Sequence, residues 1–350
     1  MSDERARFVE RVWYGDDGLA AVARAILLPA ERVFGGVVGA RDILYDAGWL
    51  PARKTALPAV SIGNLTVGGT GKTPIAAWVA GGLAARGAKP AVVLRGYGDD
   101  EPLVHQTLNP DIPVVLGADR VAAIADAAAR GADVAVLDDA FQHRRAQRVA
   151  DLVIVSADRW TGDVRLLPAG PWREPLRAIR RASLVIVTRK AASDERVDEV
   201  HRRIAEVAPA LPRVSVHLAP GELVRAGTSE TRPLESLRGA SVRAILSIGD
   251  PDAFVRQIEG LGARVRATIF PDHHAFTAAE VANFASGLSE HDVVLSTLKD
   301  AVKLAAHWPR LGRPLWYVSQ RVIVERGVGG LERVLDDLVR ARPGTSRNAG

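Results

Sequence analysis

Ser61-Ile62-Gly63-Asn64-Leu65-Thr66-Val67-Gly68-Gly69-Thr70-Gly71-Lys72-Thr73-Pro74 decides the fold. The apolar run Ala59–Ile62 reads as a buried strand, the glycines after it as a tight turn, and Ile75–Ala85 as a helix. Glycines let backbone N–H groups close on phosphate oxygens, and the helix N-terminus adds its positive end. On this reading Thr66, Val67, Gly68, Gly69, Thr70, Gly71, Lys72 and Thr73 cradle a nucleotide. Lys72 reaches the β- and γ-phosphates, and the Thr73 hydroxyl faces Mg²⁺. Pro74 suits the first helical turn, where its missing donor costs nothing. Thr66 stands where the pattern G-x-x-x-x-G-K-[ST] has its leading Gly. A chance GKT is the plainer account, but it does not explain the strand–turn–helix setting. The cofactors expected are ATP and Mg²⁺.

Outward from this loop, short apolar runs alternate with helical patterns. Val134–Leu137 and Leu152–Val155 read as strands, as do Ala91–Leu94, Val114–Leu116 and Leu184–Val187, with a helix over Arg120–Arg130. Such alternation implies α/β architecture with a P-loop NTPase-like, doubly wound parallel sheet. Residues 219–240 lose the rhythm and read as a linker. It restarts with Ala244–Ile248, Val265–Ile269, Val293–Ser296 and Leu315–Val318. The organisation expected is a segment at 1–50, a nucleotide-binding core at 51–220 and a smaller α/β lobe at 235–345.

A phosphate loop needs an acid for its metal, and Val134-Ala135-Val136-Leu137-Asp138-Asp139 is an apolar strand ending in two carboxylates. Four other clusters accompany it: Arg95-Gly96-Tyr97-Gly98 leading to Asp100-Glu101-Pro102, Phe141-Gln142-His143-Arg144, Pro168 to Pro175 around Arg173-Glu174, and Pro271-Asp272-His273-His274. Each alone has a plain account as a turn, a surface ion pair or a helix cap. A zinc site at Asp272-His273-His274 is disfavoured, because no further ligand sits at helical spacing.

Leu19 to Leu44 forms an amphipathic pattern. Val22, Ile26, Ala30, Val33, Val37, Ala40 and Leu44 share a stripe opposite Arg24, Glu31 and Asp42, with Pro29 as a kink point. Trp13, Tyr14, Tyr45 and Trp49 flank it as interfacial aromatics would. The segment is read equally as a helix packed on its own domain or one lying in a membrane interface. The first 18 residues carry both signs of charge, so no secretory leader is expected. The net charge of +5 fits an anionic partner, and the lack of basic blocks interleaved with aromatics argues against nucleic acid. With no cysteine, disulfides and thiolate chemistry are excluded.

The ordered set G-N-L-x-x-G-G-x-G-K-T-P, R-G-Y-G, D-E-P, D-D-x-x-Q-H, L-P-A-G-P-x-R-E, D-H and T-x-K-D-A-x-K resembles the tetraacyldisaccharide 4′-kinase family, the lipid A kinases of Gram-negative bacteria. The last motif is Thr297 to Lys303, and Ala140 stands where the family usually has Gly. The resemblance implies γ-phosphoryl transfer from ATP to the 4′-hydroxyl of a lipid-linked disaccharide 1-phosphate at the cytoplasmic face of the inner membrane. It favours a membrane-docking role for the amphipathic helix. It implies Asp100 as the base on the sugar hydroxyl, paired with His273 from the smaller lobe. Lys72 and Arg173 would neutralise phosphoryl charge, and Thr73, Asp139, Asp138 and Glu174 would stand at or near the metal. Tyr97, Arg120, Gln142 and His143 would contact substrate or support those residues. The competing reading is a membrane-cycling P-loop ATPase switch. Such switches usually carry a second Lys before the paired glycines, where this chain has Val67.

Overall fold

All six residues of Ala59–Asn64 (β1) are buried, as a strand covered on both faces of a parallel sheet must be. The computed structural model describes residues 2–96, 100–249, 251–272, 274–309 and 312–343, with side chains from residue 8 onward. Among the described residues, 4–96, 105–217 and 322–343 form one compact unit, and 2–3, 100–104, 218–249, 251–272, 274–309 and 312–321 the other.

In the larger unit, the helices Ser2–Tyr14 (α1) and Gly18–Asp46 (α2) precede β1. Lys72–Ala85 (α3), Pro90–Leu94 (β2), Asp100–Leu108 (α4, whose first turn belongs to the smaller unit), Val114–Leu116 (β3) and Arg120–Ala129 (α5) follow. Then come Val134–Asp138 (β4), Ala150–Ser156 (β5), Leu184–Arg189 (β6), Asp194–Val207 (α6) and the start of Arg213–Arg225 (β7). The strand order is β3-β2-β4-β1-β5-β6-β7. Every pairing along it is parallel. The chain leaves β1, crosses to β2 and returns to β4, so β1 lies where the winding reverses, the place where open α/β sheets bind ligands. Ile62 is in register with Asp138, which brings the end of β4 beside the exit of β1.

The smaller unit continues β7 and adds Thr231–Arg232 (β8), Ser241–Leu246 (β9), Pro251–Glu259 (α7), Arg264–Ile269 (β10), Ala278–Ser286 (α8), Asp292–Thr297 (β11), Leu298–Leu304 (α9) and the first part of Leu315–Arg326 (β12). Its parallel order is β10-β9-β11-β12. The α/β class, the parallel sheet, the second α/β unit and the N-terminal helix are as the sequence implies.

Two boundaries differ from expectation. Pro220 and Gly221 lie inside the 13-residue strand β7 rather than in a linker, because pairing with β8 and the bond from Glu222 N–H to Ser319 Oγ (2.8 Å) override local composition. The helix Val328–Arg340 (α10), expected in the smaller lobe, belongs to the larger unit. Its Glu332 and Asp336 pair with Arg86 at the end of α3, and Leu335 packs over Gly82.

The helix α2 is one assigned helix with Pro29 inside it. Its amphipathicity is inverted relative to a packed surface helix. Ile26 (73% exposed), Val33 (69%) and Val37 (65%) face outward, whereas Arg24, Glu31, Arg41 and Asp42 turn toward the protein. Arg24 donates to the carbonyls of Val12 and Gly15, Glu31 accepts from Leu166 N–H, and Asp42 meets Arg144 and Arg181. Of the four flanking aromatics only Trp49 stands fully out. Trp13 donates to Pro168 O, while Tyr14 and Tyr45 lie under Arg159 and Arg144. Among the described residues no helix is long and apolar enough to cross a membrane.

Candidate active site

The loop between β1 and α3 is shaped by its glycines. Gly68 (φ 105°) and Gly71 (φ 88°) occupy the left-handed region that side chains disfavour, and Gly71 is the N-cap of α3. Lys72 and Thr73 therefore open the helix, with Thr73 buried. Pro74 follows without loss of a hydrogen bond. The loop is strapped from outside: Val67 N–H donates to Pro171 O (2.8 Å), Arg173 N–H to Leu65 O (2.7 Å), and Thr188 Oγ1 to Thr70 O (3.0 Å).

Asp138 ends β4 and Asp139 turns the chain with φ 51°, a conformation Asp tolerates better than most residues. Arg173 grips Asp139 as a fork, Nη2 to Oδ1 at 2.8 Å and Nη1 to Oδ2 at 3.2 Å. Lys72 Nζ lies 3.9 Å from Asp139 Oδ1. Burial pushes the Asp139 carboxyl up, but Lys72 and Arg173 outweigh it and hold it below the usual range. Lys72, Asp139 and Arg173 are thus one cluster at the mouth of the loop.

Asp138 is buried and differently employed. Its Oδ2 lies 3.1 Å from His105 Nε2, while Oδ1 is buried without a hydrogen-bond partner. A buried carboxylate oxygen left open costs stability unless a cation uses it. That orphaned oxygen, with the Thr73 hydroxyl in the same loop–strand corner, is a donor pair of the oxygen type Mg²⁺ takes.

Asn64, in the quoted motif but given no role by sequence, is a hub. It is buried, donates from Nδ2 to Thr70 Oγ1 (2.8 Å), accepts from Arg173 at Oδ1, and accepts at its carbonyl from Gln142 Nε2 (2.9 Å). Gly63 beside it admits no side chain, since a Cβ there would lie 2.8 Å from Phe141 N. His105 was also missed: a single His in a helix, 33 residues from its carboxylate, gives no spacing signal.

The remaining expected residues fall as follows. Gln142 and His143 continue from the acidic pair. Burial, then the cations Arg120 and Arg148, push the His143 imidazole down, so it stays neutral at neutral pH. Arg120 is buried and donates to Gly117 O (2.6 Å). Glu174, expected near the metal, is fully buried with one oxygen on Arg41 and the other 2.7 Å from Arg181 Nη2. Asp100 opens α4, is buried, and belongs to the smaller unit. Tyr97 and His273 lie outside the described residues. Next to the latter, His274 stacks on Phe270 (4.8 Å between centroids) and meets Glu280 at 3.1 Å.

A family model described as tetraacyldisaccharide-1-P 4′-kinase matches residues 23–340. The chain is 38% identical over 368 residues to a tetraacyldisaccharide 4′-kinase of Anaeromyxobacter sp. (strain K), covering 96% of each protein. It is 36% identical over 302 residues to one from Alkalilimnicola ehrlichii, covering 81% of this chain and 84% of that one. Among solved structures it is similar to LpxK from Aquifex aeolicus in complex with ATP, with TM-score 0.71, 27% identity, and coverage of 91% of this chain and 99% of the other. Matched along nearly its whole length in sequence and in fold, the chain belongs to the tetraacyldisaccharide 4′-kinase family.

Proposed function

We propose that this protein transfers the γ-phosphoryl group of ATP to the 4′-hydroxyl of a tetraacylated glucosamine disaccharide 1-phosphate, giving lipid IVA. The observation that carries this reading is the union, in one compact unit, of a phosphate loop with a helix whose apolar stripe faces outward. At about 1.5–3 kcal/mol per large apolar side chain covered, the exposed stripe offers several kcal/mol to an acyl-chain surface. Since no described helix spans a bilayer, α2 would lie along the cytoplasmic face of the inner membrane, where a multiply acylated substrate remains.

Phosphoryl transfer is mainly positioning and charge neutralisation. Asp139 pairs with Lys72 and Arg173. Phosphate oxygens would replace that carboxylate, so both cations stay paired and aimed while the loop amides from Gly69 to Thr73 close on the β- and γ-phosphates. Thr73 and the open oxygen of Asp138 would hold Mg²⁺, which would supply charge neutralisation when bound. His105 fixes the rotamer of Asp138. Asp139, released from Lys72 and Arg173 by the phosphate oxygens, would stand beside the metal as orienter. Asp100 would orient the sugar hydroxyl and take its proton as the new P–O bond forms and the bond from the γ-phosphorus to the departing ADP breaks, with His273 as its partner. Tyr97, Arg120, Gln142 and His143 would line or support the sugar side.

Incubation with γ-labelled ATP and detergent-solubilised tetraacyldisaccharide 1-phosphate tests the reading. Label should move to the lipid, and only when the lipid is present. Release of label into water at the same rate with and without lipid would instead identify an ATPase switch.

A further inference from the structure

Three side chains of the N-terminal helices reach one loop. Trp13 Nε1 of α1 donates to Pro168 O (3.0 Å), Glu31 of α2 accepts from Leu166 N–H (2.8 Å), and Arg41 of α2 pairs with Glu174. On its other side the same loop is laced to the phosphate loop by Val67 N–H to Pro171 O and Arg173 N–H to Leu65 O. Arg173, beside Glu174, forks onto Asp139 and bonds Asn64. Glu174 is fully buried, and both its oxygens are occupied by guanidiniums, Arg41 from α2 and Arg181 from the turn after the loop. A buried carboxylate held between two guanidiniums fixes position.

We propose that Glu174 and Arg41 are a positioning pair, through which the seating of α2 sets the placement of Arg173 against the transferring phosphoryl group. The 166–174 loop is the connecting piece. Contact of α2 with a lipid surface would then raise turnover as well as concentrate substrate. This inference rests on the kinase reading above. Lipid phosphorylation by the unaltered chain tests that reading separately.

The test is a double-mutant cycle in the full chain with Arg41→Gln, Glu174→Gln and both, assayed with the lipid substrate in mixed micelles. Arg41 is one-third exposed and Glu174 keeps Arg181 when it is changed, so Arg41→Gln removes one partner without stranding the carboxylate. Both single variants should lower kcat about 10-fold or more, while KM for ATP and the Mg²⁺ requirement stay within about 2-fold of the unaltered chain. The double variant should be no worse than Glu174→Gln alone, and Arg41→Lys should recover part of the loss. ATP affinity reports folding independently of kcat. Normal kcat for Arg41→Gln, additive losses, or a raised Mg²⁺ requirement confined to Glu174→Gln would overturn the proposal. The last outcome would return Glu174 to the metal.

Discussion

Asp139 carries more of the site than its place in the sequence suggests. Its left-handed backbone presents the carboxylate to Lys72 and Arg173 together, and those cations hold its proton affinity down. The sign follows: a carboxyl whose folded pKa is depressed adds stability above its ordinary value of 3.8, and that stability is lost as pH falls through the folded value. Replacing Lys72 with Met lets the folded value rise toward 3.8, so the variant should lose less stability than the unaltered chain between neutral pH and about pH 3. Urea unfolding at the two pH values measures this. For function, Lys72→Ala should lose ATP binding and transfer together. Asp100→Ala should keep ATP binding and lose transfer by a factor of at least 10², and near-normal transfer would remove Asp100 as the base. The glycine loop between β1 and α3 and the acidic pair were legible because each is contiguous in sequence. Asn64, His105 and the Arg41–Glu174 pair were not, since their partners are brought near by folding and no spacing marks them.

Among the elements, α2 shows what periodicity reveals and what it leaves open. The stripe from Val22 to Leu44 was readable, but a stripe alone does not say which face is covered. The structure decides it through Glu31, Arg41 and Asp42, whose charges are turned inward onto partners. A double change of Val33 and Val37 to Glu should therefore alter unfolding free energy by no more than about 0.5 kcal/mol per site while abolishing sedimentation with anionic phospholipid vesicles. A large fall in stability would mean the stripe is packed after all. At α8, Thr277 and Glu280 form a reciprocal capping box. Thr277→Ala should cost about 1 kcal/mol in a thermal or denaturant melt. Strand β7 illustrates the opposite limit: Pro220 and Gly221 suggested a linker, and pairing partners far along the chain made a strand.

At the scale of the whole molecule, the alternation of strand and helix was enough for the α/β class and for two sheet-forming regions. The compact units are less contiguous than that reading implied. The chain enters the smaller unit within β7 and leaves it within β12, and α10 then packs on α3. Sequence rhythm marks elements but not which body a terminal helix joins, because that choice rests on side-chain fit such as Leu335 over Gly82. This chain places phosphate on one hydroxyl of a lipid-linked disaccharide. The most direct measurement is the phosphorus–proton correlation NMR spectrum of the lipid product, made with purified chain, ATP, Mg²⁺ and tetraacyldisaccharide 1-phosphate. One new phosphomonoester coupled to the proton on C4′ is expected, with one ADP formed per lipid. A phosphate on another hydroxyl, or ADP formed with no new lipid phosphoester, would contradict it.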